Sequence, residues 1–132
     1  MAGRTEGLGI GWLSPHTYAL LRIVAGLLFA CHGAQKLLGL FGGHRVPLMS
    51  QLGAAGVIEL IGGLLIALGF LTSFAAFIAS GEMAVAYFQQ HLPRGLVPIE
   101  NQGELAVLYC FLFLYIATRG VGAWGIDRAG PR

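Results

Sequence analysis

The chain has 132 residues, 56% of them hydrophobic and 11% charged, with a net charge of +2 and a mean hydropathy of +0.74. A soluble domain is usually about 25% charged, so this composition points to a lipid bilayer as the solvent and to a single domain over residues 1–132. The small charge and the lack of any basic tract exclude a nucleic-acid-binding role.

The opening residues, MAGRTEGLGIGWLSPHTYALLRI, place Glu6 in a long polar stretch and offer no small-x-small cleavage pattern behind a short apolar core. The first apolar segment is therefore expected to be a retained span rather than a cleaved signal. In LSPHT, Ser14 and Pro15 have the chemistry of a helix start. Hydropathy then predicts four helical spans, over residues 17–38, 52–71, 73–91 and 103–119. Each is near the ~20 residues that a helix needs to cross ~30 Å of hydrocarbon, and helices satisfy their own backbone there.

The joints differ in character. GLFGGHRVP reads as a loop, GFLTSF as a tight turn between antiparallel spans, and HLPRGLVPIENQG as a second long loop. RGVGAWGIDRAG closes the chain, with Trp124 suited to a membrane interface. Four spans put both termini on one side, which collects Arg4, Arg22, Arg119, Arg128 and Arg132. The other side holds Lys36, Arg45 and Arg94, so the bias places both termini in the cytoplasm. Arg22, inside the first span, is expected to snorkel to the interface. The pairs Gly26–Gly33 and Gly62–Gly69 are each two turns apart and predict close helix packing. Cys31 and Cys110 form no redox or zinc pattern and read as small residues within apolar segments.

The acids carry the most information, because three of the six sit in apolar runs: Glu59 in GVIELIGG, Glu82 in SGEMAVAYF and Glu104 in QGELAVLYC. An ionisable residue inside a membrane marks a functional site by default. At 1.5 Å rise per residue, Glu59 lies roughly 10 Å and Glu82 roughly 13 Å below the outer surface, with Glu104 at the rim. His32 and Lys36 share a face of the first span, as do Tyr87 and His91, and Glu82 and Gln89, on the third. His32, Gln35, Lys36, Glu59, Glu82, Gln89, Gln90, His91, Asn101 and Glu104 all fall in the outer half and predict a polar pocket opening outward. For Glu59 and Glu82 the structural alternative is a protonated carboxyl, or a pair with Lys36 or His32, holding the bundle together.

The segments LRIVAGLLFACHGAQKLLGLFGG, GVIELIGGLLIALG and GEMAVAYFQQHLPRGLVPIENQGELAVLYCFLFLYIATRGVGAWGID resemble, in order and spacing, the DoxX family. The likeness covers about residues 18–128, and its motifs fall on His32, Gln35, Lys36, Glu59, Glu82, His91, Asn101 and Glu104. The resemblance implies an all-α, four-helix membrane fold in a bacterial-type plasma membrane. It also implies a link to quinone or to oxidation of thiols and sulfur compounds, and partnership with soluble redox enzymes.

The preferred function is therefore redox-associated. Phe29, Tyr87, Phe88 and Tyr109 would form a slot for a quinone ring, His32 and Lys36 would donate to its carbonyls, and Glu59 and Glu82 would relay protons. Gln35, Tyr87, His91, Asn101 and Glu104 complete the expected binding set. No redox-cofactor motif is present, so electrons come from a partner or substrate. No HxxH, HxxxH or ExxH pair shares a helix, so no metal is expected. The alternative is a non-catalytic subunit, as a homo-oligomer or in a larger membrane complex, with the polar cluster serving structure. Transport is disfavoured by the lack of an inverted repeat.

Overall fold

The structure is a computed structural model that describes residues 9–128. Arg4, Glu6 and Arg132 lie outside the described residues, so part of the charge bias does too. The described chain is helical, with no strand in it. A 3-10 turn, Gly11–Leu13, leads into α1 (Ser14–Leu38). Then follow α2 (Gln51–Leu68), α3 (Thr72–Ala86), the short α4 (Pro98–Asn101) and α5 (Glu104–Arg119). Among the described residues, Gly11–Leu38 and Gln51–Leu68 are long and apolar enough to cross a membrane by length and composition. The third expected span is not one α-helix: beyond Ala86 it widens into a π turn, Tyr87–His91, and tightens into a 3-10 turn, Leu92–Arg94.

The long helices pack as two pairs, α1 with α2 and α3 with α5, joined along α2 and α3. Glycine makes the first pair close. A Cβ on Gly26 would lie 2.6 Å from Ala67 N and Gly63 O, and one on Gly63 would lie 2.5 Å from Ala30 N and Gly26 O. Both obstacles are backbone, so neither can move aside. The expected partnership of Gly62 with Gly69 does not form. Gly62 faces open space, and Gly69 ends α2 at φ +70, the left-handed conformation that glycine adopts most readily. The contacts that matter on α2 are one residue away from one of those the spacing suggests. Gly63→Ala should lower stability by about 1–3 kcal/mol, while Gly62→Ala should change it by less than about 0.5 kcal/mol. Thermal unfolding of the two variants in one detergent reads both.

Aromatic residues close the other side of the core. Phe29 of α1 meets Tyr109 and Phe113 of α5 at centroid distances of 5.4 and 4.7 Å. Ser80 of α3 donates to the Cys110 carbonyl of α5 at 2.7 Å. Cys31 and Cys110 are part-buried and unbonded to each other.

At the end bearing the α2–α3 turn, Arg22 does not snorkel. It is fully buried, and its guanidinium donates to the carbonyls of Ile66 and Ala67 at 2.8 and 2.9 Å and of Ala123 and Trp124 at 2.9 and 3.1 Å. The last turn of α2 has orphan carbonyls, and the guanidinium fork joins them to the tail after α5. The same tail caps α3. Asp127 accepts from Leu71 N at 3.0 Å, Thr72 N at 2.9 Å and Thr72 Oγ1 at 2.8 Å. The Thr72 backbone N–H, then its hydroxyl and the Leu71 N–H, hold the Asp127 carboxyl below the usual carboxylate range.

Candidate functional site

A cavity of about 550 Å³ lies toward the opposite end, between the two helix pairs. Helical spacing turns one stripe of each helix to it: Phe29, His32 and Lys36 on α1; Gln51, Ala55, Ile58 and Glu59 on α2; Ile78, Glu82, Val85 and Gln89 through α3 and the π turn. Tyr109 supplies an aromatic wall from α5, with its ring edge-on to His32 at 6.1 Å. The walls are otherwise largely apolar, so the charged groups stand out.

Lys36 Nζ and Glu59 Oε1 form an ion pair at 2.6 Å. The Lys36 side chain is 27% exposed and that of Glu59 only 2%. Glu82 lines the same cavity from α3, and Glu59 Oε2 and Glu82 Oε2 are buried oxygens with no hydrogen-bond partner among the described residues. The arrangement sets two carboxyls, an ammonium and two histidines within the same walls.

Of the residues expected at the site, His32, Lys36, Glu59, Glu82 and His91 line the cavity, as do Gln89 and Gln90. Four expected members do not. Gln35 turns to the loop after α1 and donates to Phe41 O at 3.1 Å. Asn101 is buried, but it donates to Tyr87 Oη at 3.2 Å and Gly95 O at 2.9 Å and accepts from Gly103 N at 2.8 Å. Asn101 and Tyr87 thus pin the second long loop to the π turn, and His91 Nδ1 joins them at the Asn101 carbonyl, 3.2 Å away. Glu104 is exposed in the first turn of α5, where an acid suits the helix dipole. Of the expected aromatic slot, Phe29 and Tyr109 line the cavity, whereas Phe88 is exposed on another face.

Gln51 is a member that the sequence reading does not include. It lines the cavity and hydrogen-bonds Gln89 across the α2–α3 seam. Its spacing of eight residues from Glu59 is the available signal, obscured because hydropathy starts the span one residue later. Beside that seam Gly81 is exposed, and a Cβ there would meet nothing within 4 Å. With Ile78 and Val85, 40% and 50% exposed, it forms an open lateral mouth.

A model of the DoxX family matches residues 17–92. An uncharacterized protein of Haemophilus influenzae is 45% identical over 120 residues, which cover 86% of this chain and 90% of the relative. No solved structure matches.

Proposed function

Since the chain belongs to the DoxX family of membrane proteins, we propose that it is a single-domain, four-span protein of a bacterial-type plasma membrane that binds a quinone-class ring in the cavity. Both termini face the cytoplasm in this reading, so the cavity lies in the outer half of the bilayer. The observation that carries it is the presence of two carboxyls, Glu59 and Glu82, and one ammonium, that of Lys36, on the wall of a largely apolar cavity. A quinone needs apolar walls for its ring and polar groups for its carbonyls. Phe29 and Tyr109 supply the first; His32, Lys36 and the carboxyl pair supply the second. The lateral mouth at Gly81 leaves room for an isoprenoid tail in lipid. Electrons reach or leave the ring through a soluble redox partner or a thiol substrate, and Glu59 and Glu82 handle the protons that accompany them.

The test is titration of purified protein with a short-tailed quinone. Glu82→Gln keeps the shape and a hydrogen-bonding end but removes the ionisable group, and should weaken binding by about tenfold, the effect of one charged hydrogen bond. Equal binding by the two proteins would remove Glu82 from the site. A second reading, a non-catalytic subunit of a larger complex, draws support from the mutual satisfaction of Lys36 and Glu59. It predicts a stoichiometric partner in mild detergent and no quinone affinity.

A further inference from the structure

A second polar site lies far from the carboxyl pair, at the end of α5. A cavity of about 340 Å³ there is lined by Tyr115, Thr118, Arg119 and Gly122. Its cation is held in place. The Arg119 guanidinium carbon lies 4.6 Å above the centre of the Tyr18 ring. That ring is fixed in turn: its hydroxyl donates to Gly120 O at 2.6 Å, and Tyr115 meets it edge-on at 6.1 Å. Stacking on an aromatic face orients a guanidinium while leaving its N–H edges available. Among the described residues no carboxylate lies within ion-pair distance of Arg119, and no group accepts a hydrogen bond from it.

The neighbouring groups share this bias. The Tyr115 side chain is exposed and has a hydroxyl to donate, and the Thr118 hydroxyl donates only locally, to Tyr115 O at 2.9 Å. A set of donors with no acid among them calls for an anion with several oxygens, and the planar fork of Arg matches phosphate in two-pronged fashion. The depth is that of headgroups. Trp12 and Trp124 are exposed at the same end, 71% and 57%, and Trp124 lies against His16 at 5.3 Å. Tryptophan gathers at the boundary between lipid and water.

We propose that Tyr18, Tyr115, Thr118 and Arg119 form a site for the phosphodiester of an anionic phospholipid at the membrane boundary. The phosphate sits on the guanidinium edge and the Tyr115 hydroxyl, with Tyr18 orienting the guanidinium, and the acyl chains run along the apolar exterior of α5, where Phe111 and Leu108 are 65% and 60% exposed. This site stands apart from the quinone reading and does not depend on it.

Delipidated, detergent-purified full chain is titrated with phosphatidylglycerol, with phosphatidylcholine and with inorganic phosphate, and bound ligand is counted by native mass spectrometry. Wild type should retain phosphatidylglycerol in preference to phosphatidylcholine. Arg119→Ala should weaken that binding about tenfold, as loss of a charged two-pronged contact implies. Arg119→Lys keeps charge and the aromatic contact but loses the fork, and should fall between the two; it decides the matter if the alanine variant does not fold. Arg128→Ala, which removes an exposed cation at the same end, should bind as wild type does. Equal retention by wild type and both Arg119 variants overturns the site. Displacement of the lipid by millimolar inorganic phosphate overturns the assignment to a lipid and leaves a soluble phosphate as the ligand.

Discussion

Replacing Lys36 by methionine should destabilise the protein by about 3 kcal/mol, near the lower end of what breaking a buried ion pair costs. Glu59 is 2% exposed and would lose the only cation it touches among the described residues, at 2.6 Å. Partial exposure of Lys36, at 27%, keeps the loss from being larger. The double variant Lys36→Met/Glu59→Met should recover most of that stability, since well-packed apolar groups commonly replace a buried pair without loss. It should not recover affinity for a short-tailed quinone. This separation of fold from ligand is the useful result. Chemical denaturation in detergent measures the first, and titration measures the second. A double variant that is stable and still binds quinone would show that the ion pair only holds helices together.

Arg22→Met should cost about 3–5 kcal/mol, the range of the largest single-site effects, because a buried hydrogen-bond network is broken. Four carbonyls lose the guanidinium at once, two on α2 and two on the tail, though Ile66 O keeps the Gly69 N–H. Arg22→Lys should restore only part, since a compact ammonium cannot span both sides as a planar fork does. The loss has a local signature. Trp124, whose carbonyl is one of the acceptors, should show red-shifted fluorescence as the tail detaches, at denaturant concentrations below the main transition. A single transition with unchanged Trp124 emission would mean that the tail is held without Arg22, by the Asp127 carboxyl and by the backbone N–H groups of Ile126 and Asp127 on Leu68 O and Gly69 O.

Both expectations rest on residues that the sequence displays with unequal clarity. Glu59, Glu82, His32 and Lys36 are legible because ionisable side chains are costly in apolar segments, and helical rise fixes their relative depth. Gln35 is adjacent to Lys36 and looks equivalent in sequence, but one residue turns a helical side chain by about 100°, enough to take it out of the cavity and into the loop. Asn101 lies near the expected region and pins a loop instead of lining the cavity. A loop residue's partners depend on how the loop folds, and here they are Tyr87, Gly95 and Gly103. Arg22 shows the limit most plainly. Its acceptors lie 44 to 102 residues away and are all backbone carbonyls, which no residue identity announces. The π turn at Tyr87–His91 is similarly silent, because periodicity cannot distinguish a widened turn from an ordinary helix end.

The unequal packing of the helices has a mechanical consequence. Glycine brings α1 and α2 backbone to backbone, and Ser80 ties α3 to α5. The two halves are joined at one end by the hydrogen bonds of Arg22 and Asp127 and further along by the Phe29 ring against Tyr109 and Phe113. Beside the cavity, the side-chain hydrogen bond that closes the α2–α3 seam joins two exposed residues, Gln51 and Gln89. Water can replace such a bond at little net cost, so the seam is the part of the cavity wall that opens most cheaply.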